Sequence, residues 1–233
     1  MEDWDLDIVL TGSQKCLGVP AGLCLAVLSP HALAVFNERT SLPSSYYASL
    51  TNWLPIMQKY EKRQPSYFAT PAVNHFYALH VALSILLKNG GMESRFTEHV
   101  QVSTAIKNSM TDMGCSFVPL ALSKAANTMT CVRYPANVKP AEFLKEVTAR
   151  GVSLAGGLHK SIKMEYFRIG HMGPSTRRYD HILKTVTAIE GALVACGHTS
   201  AAGKGKMALL ELEKTCPKSA CCTFVRSLFV SVN

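Results

Sequence analysis

Residues 8–29, IVLTGSQKCLGVPAGLCLAVLS, set two apolar runs on either side of a glycine-punctuated stretch that carries one lysine, Lys15. Apolar runs of this length read as short buried strands, the kind an α/β layer covers on both faces. The Gly-Ser-Gln-Lys between them reads as a turn, after which the chain returns as a second strand. A long cation at the end of a buried strand must snorkel to water, find a partner, or be held neutral for chemistry.

The rest of the composition narrows the choice. At 233 residues, with 48% hydrophobic and 17% charged residues, the chain suits a densely packed globule rather than a disordered one. Its net charge of +8 fits an anionic partner, which includes a phosphorylated small molecule. The basic residues are scattered, however, with no basic helix or aromatic-studded strip of the kind that reads nucleic acid, so no nucleic-acid partner is expected. The opening MEDWDLD is acidic, unlike a secretory leader, and no apolar stretch reaches the roughly 18 residues of a membrane span. An intracellular, membrane-free protein is expected. Eight cysteines at irregular spacing then read as reduced thiols, and no His/Cys group has zinc spacing, so no metal site is expected.

Local patterns divide the chain. PHALAVFNER begins with a proline suited to the first turn of a short helix, whereas residues 40–71, rich in Ser, Pro, Tyr and Asn, read as irregular. Phe76, Leu79, Leu83 and Leu86 share one helical face, and Gly90-Gly91 ends that helix. A second helix places Phe96, Val100, Ser103, Ile106, Met110 and Met113 at helical spacing and stops at Gly114. CSFVPL, MTCVRY, VSLAGG and YFRIGHMG are strand candidates. KPAEFLKEVTARG is a helix with proline at its start and glycine past its end, and a last helix aligns Ile182, Val186, Ile189 and Leu193. This order of elements predicts a compact α+β layer. From residue 198 the composition becomes that of a flexible linker, followed by an apolar, thiol-rich tail.

DIVLTGSQKCLGVPAGL, PSYFATP, GVSLAGGLHK and YFRIGHMG, in this order, resemble the class V aminotransferases of the alanine–glyoxylate (serine–pyruvate) type, over about residues 3–195. The one departure is Cys24, where the family pattern has a small residue of another type. The resemblance implies a fold-type I, pyridoxal phosphate (PLP)-dependent transferase. Its reaction would be transamination between alanine or serine and glyoxylate or pyruvate. It further implies that Lys15 forms a Schiff base with the cofactor and then acts as general base, a role that needs a neutral amine. By the same resemblance Gln14 donates to the cofactor phosphate. Tyr67 and Thr70 reach the phosphate from the neighbouring subunit of a homodimer, and Arg168 clamps the substrate α-carboxylate. His159 and His171 are read as structural. Cysteine desulfurases share this fold, but they typically carry histidine before the lysine, where Gln14 stands.

The resemblance also sets the expected organisation. Residues 1–89 correspond to the C-terminal part of the PLP-binding large domain, 90–196 to a small α+β domain, and 197–233 to a flexible tail. By the family's pattern this leaves out the glycine-rich phosphate cradle, the aromatic that stacks on the ring, and the aspartate that pairs with the ring nitrogen. Asp3, Asp5 and Asp7 are not assigned that last role. Two readings follow: a working aminotransferase, or a non-catalytic remnant that pairs with a full-length subunit. Ser231-Val232-Asn233 is not a peroxisomal tripeptide, so a cytoplasmic place is expected over the peroxisomal one common in the family.

Overall fold

A computed structural model describes residues 2–215 as a mixed α/β chain in two compact units, divided between Ser84 and Ile85. The thiol-rich tail over 216–233 lies outside the described residues.

In the first unit a 3-10 turn at Glu2–Trp4 precedes two antiparallel strands, β1 (Ile8–Gly12) and β2 (Cys24–Leu28), in register from Ile8 opposite Leu28 to Gly12 opposite Cys24. Helix α1 (Pro30–Glu38) starts where expected. Ser29 caps it by accepting the Ala32 N–H at 2.9 Å, and Pro30 supplies a first-turn residue with no N–H to satisfy. The strands differ from expectation in burial: Leu10 is 65% and Val27 56% exposed. An apolar run is buried only where another layer covers it, and among the described residues this sheet has two strands. The segment 40–71 is also not irregular throughout, because α2 (Leu50–Glu61) forms inside it, capped by Ser49 and tolerating Pro55. Helix α3 (Val73–Lys88) follows, its last four residues falling past the division at Ser84, and buries only Leu86 among its residues, so the expected stripe through Phe76 and Leu83 is largely exposed.

The second unit holds the core. Helix α4 (Gly91–Asp112) begins after Gly90, whose φ of 87° suits glycine, and a second positive φ at Gly114 ends its last turn. Strand β3 (Met129–Arg133), helix α5 (Pro140–Ala149), strands β4 (Ala155–Gly156) and β5 (Tyr166–Gly170), and helices α6 (Tyr179–Ala195) and α7 (Met207–Thr215) complete it. The sheet is antiparallel in the order β3-β5-β4. CSFVPL does not become a strand; it makes a single bridge, Phe117 to Val132, and Pro119 has no N–H to extend it. Met110 and Met113 from the α4 end meet Val132, Phe143, Phe167, Ile189 and Leu193 in a core with no exposed surface. Phe96 and Val100, nearer the start of α4, are exposed. The stretch read as linker instead carries a 3-10 turn at Thr199–Ala201 and then α7, which packs on α4 and buries Leu209. Among the described residues no helix is long and apolar enough to cross a membrane, and no cluster of His, Cys, Asp or Glu is arranged to hold a metal ion.

Candidate active site

Lys15 stands in the turn after β1, exposed, beside exposed Gln14. The turn itself is rigidly tied. Buried Ser13 donates its hydroxyl to the Pro20 carbonyl at 2.7 Å and accepts the Leu23 N–H at 3.2 Å. Its backbone pairs with Leu23 and Val19 at 3.0 Å each. The return segment is held in turn by His75 of α3, whose Nε2 lies 2.9 Å from the Ala21 carbonyl oxygen. Gly22 makes that approach possible, since a Cβ there would sit 2.5 Å from the His75 ring and its φ is +148°. Gly12 has a similar role: a Cβ would meet the Gln14 amide oxygen at 2.7 Å, so the Gln14 side chain folds back over the glycine. Among the described residues the buried strand end expected at Lys15 is not formed, because the flanking strands are themselves exposed.

Tyr67 and Thr70 lie in the segment between α2 and α3. Tyr67 is 71% exposed, Thr70 is exposed, and neither makes a hydrogen bond among the described residues. Their neighbour Phe68 explains the outward placement. It packs edge-on against Trp53 at 4.6 Å between ring centroids and against Tyr46 at 5.8 Å, anchoring the segment by its inner residue.

Arg168 is half-buried in the middle of β5, opposite Cys131 on β3 and Ala155 on β4. Its Nε–H donates to the Gly156 carbonyl at 2.7 Å, and no other hydrogen bond or ion pair reaches it among the described residues. The guanidinium is therefore fixed at one nitrogen with both terminal nitrogens unspent, the end-on edge that receives a carboxylate in two parallel bonds. Burial raises the Cys131 thiol, and the Arg168 charge beside it acts in the opposite direction. His171 is buried as expected for a structural histidine, with Nε2 2.8 Å from the Thr130 hydroxyl. Nothing in the sequence alone singles out Ser13, Tyr166 or the Gly156 carbonyl, although paired glycines such as Gly156-Gly157 are a composition that lets backbone approach closely.

The turn residues suit PLP in part. A fixed turn presenting a primary amine next to an amide donor fits an aldehyde and a phosphate. Asp7 is already engaged, accepting from Ser29 Oγ at 2.6 Å and lying 3.2 Å from His31 Nδ1, and these two partners hold its carboxyl below the usual range.

Known proteins give independent comparison. A family model described as Aminotransferase class-V matches residues 1–181. Alanine–glyoxylate aminotransferase 1 of Saccharomyces cerevisiae is 36% identical over 178 residues, which is 74% of this chain and 45% of that protein. Pyridoxamine–pyruvate transaminase of Mesorhizobium japonicum is 33% identical over 212 residues, 91% of this chain and 52% of that one. The crystal structure of pyridoxamine–pyruvate aminotransferase from Mesorhizobium loti matches with a TM-score of 0.81 at 30% identity, covering 92% of this chain and 53% of that one. The chain thus spans about half the length of the curated relatives it matches.

Proposed function

This chain belongs to the class-V aminotransferase family, and from that premise we propose that it serves PLP-dependent transamination between alanine or serine and a small 2-oxo acid, glyoxylate or pyruvate. The observation that carries this reading is Arg168, a guanidinium oriented through Nε with, among the described residues, both terminal nitrogens unbonded. Every substrate named shares a carboxylate that such an edge fits. PLP, when bound, supplies the aldehyde and the electron-withdrawing ring. Lys15 Nζ would hold it, and the same amine would serve as the base for the proton on the substrate Cα. Gln14 donates to the phosphate from the same turn. Tyr67 and Thr70, turned outward by the packing of Phe68, donate to the phosphate of a second subunit in a homodimer. In this reading residues 1–89 are large-domain structure and 90–196 a small domain, acting in the cytoplasm.

The exposed β1–β2 ribbon favours a second reading, in which the chain alone does not catalyse and pairs through that surface with a full-length subunit. One experiment separates the two. The purified chain is incubated with PLP, reduced with borohydride, digested and mapped, with alanine–glyoxylate turnover measured in parallel. Stoichiometric label on Lys15 with turnover supports catalysis by this chain. Absence of both, together with co-purification with a full-length relative, supports the second reading. Label confined to other lysines removes Lys15 from the site.

A further inference from the structure

The loop from β4 to β5 is held from beneath by one side chain. Tyr166, 6% exposed, opens β5 two residues before Arg168, so both side chains leave the same face of the strand. The Tyr166 hydroxyl accepts the backbone N–H of Leu158 at 2.9 Å and of His159 at 3.2 Å. The chain lies so close over the ring that a Cβ on Gly157 would stand 2.6 Å from Tyr166 Cε1 and 2.6 Å from the Lys163 carbonyl oxygen. Immediately before this closure comes Gly156, whose carbonyl takes the Arg168 Nε–H.

The strand that carries this carbonyl is short. Strand β4 is two residues long, pairing only Ala155 with Arg168 and Gly156 with Phe167. Leu158 is 71% exposed, so apolar packing of its side chain does not anchor the loop. An arginine side chain turns about several bonds, and here a single hydrogen bond sets its plane. We propose that Tyr166 is a positioning residue for Arg168, acting through the 157–159 backbone to fix the Gly156 carbonyl and, with it, the direction in which the guanidinium meets a substrate carboxylate. The last part rests on the reading of Arg168 as the carboxylate clamp; the coupling of Tyr166 to Arg168 does not.

The test uses the full chain, labelled with nitrogen-15. The Arg168 Nε–H signal is assigned by its loss in Arg168→Lys, and hydrogen exchange is followed there and at the Leu158 and His159 amides. All three should be protected in the unaltered chain. Tyr166→Phe keeps the ring and removes the hydroxyl, and should speed exchange at all three by about 3- to 10-fold, the scale of one ordinary hydrogen bond. Far-UV circular dichroism should stay unchanged. Pyruvate titration should show a Kd weakened about 3- to 10-fold in Tyr166→Phe. Adding Tyr166→Phe to Arg168→Lys should cost nothing more, because a residue that acts through Arg168 has nothing left to orient. Free exchange of Leu158 and His159 in the unaltered chain overturns the proposal without any variant. So does Arg168 exchange that Tyr166→Phe leaves unchanged, or an additive loss of pyruvate affinity in the double variant. Undiminished pyruvate binding by Arg168→Lys refutes the carboxylate reading and the functional half of the proposal, while the exchange rates decide the coupling itself.

Discussion

Acidification should weaken the second unit through His171, one residue past the strand that carries Arg168. His171 is 2% exposed, with Nε2 2.8 Å from the Thr130 hydroxyl and its own N–H on the Thr128 carbonyl at 3.0 Å. Burial pushes its pKa down from 6.5 to about 4, helped by the nearby charge of Lys107 and by His99, and opposed by backbone hydrogen bonds at His171 and Asn127. Both of those neighbours come from α4: Lys107 donates to the Ala126 carbonyl at 3.0 Å, and His99 accepts the Gly173 N–H at 3.0 Å. Glu98, also on α4, is taken by Arg177 through Nε bonds of 2.9 and 3.0 Å. In the unfolded chain a histidine titrates near 6.5, so between that pH and about 4 the unfolded state binds more protons than the folded one. Stability from this group is therefore complete above about pH 6.5, falls as the pH drops, and is lost by about pH 4. Below that it changes no further. A gap of about 2.5 pH units corresponds to about 3 kcal/mol. Urea unfolding followed by far-UV circular dichroism at pH values of about 7.5, 5.5 and 4, on the unaltered chain and on His171→Gln, isolates the effect from carboxylates that titrate in both. The unaltered chain should lose about 3 kcal/mol more than the variant over that range. Parallel losses would refute the argument that this imidazole is held neutral by burial.

Three further outcomes follow from the same structure. On the proposed reading of Arg168 as the carboxylate clamp, Arg168→Lys in an active aminotransferase should raise KM and lower kcat/KM together by about 10- to 100-fold, because a point charge replaces a bidentate fork; steady-state kinetics with alanine and glyoxylate check it. Phe143→Ala should destabilise the second unit by about 3–5 kcal/mol in a denaturant titration, since the ring is fully buried and packs on Phe167 at 4.7 Å between centroids. Gly22→Ala should destabilise the first unit by about 1–3 kcal/mol and lower its melting temperature, because the new methyl meets the His75 ring at a positive φ.

The residues themselves determined most helix boundaries and the half of the core built by helical periodicity. Ser29-Pro30, Pro140 with Gly151, and Gly114 act through their own backbone torsions and hydrogen-bonding groups, so they end or start helices in any surroundings. Ile182, Val186, Ile189 and Leu193 share a face by geometry alone, and that face is buried. The Gly-Ser-Gln-Lys turn is local in the same sense, so the order of residues alone puts Gln14 and Lys15 on one turn. Burial is not local. Phe96 and Val100 follow the same stripe as Ile106 and Met110 yet stay exposed, and Leu10 and Val27 are as apolar as a core strand but nothing described covers them. Helix α2 was hidden in a Ser- and Tyr-rich segment because its stability comes partly from Trp53 meeting Phe68, fifteen residues away. The direction of Arg168 likewise depends on a carbonyl twelve residues earlier in the chain and on a tyrosine hydroxyl beneath the loop. Spacing along a sequence can nominate an arginine, but only the packed loop decides which of its nitrogens is already taken.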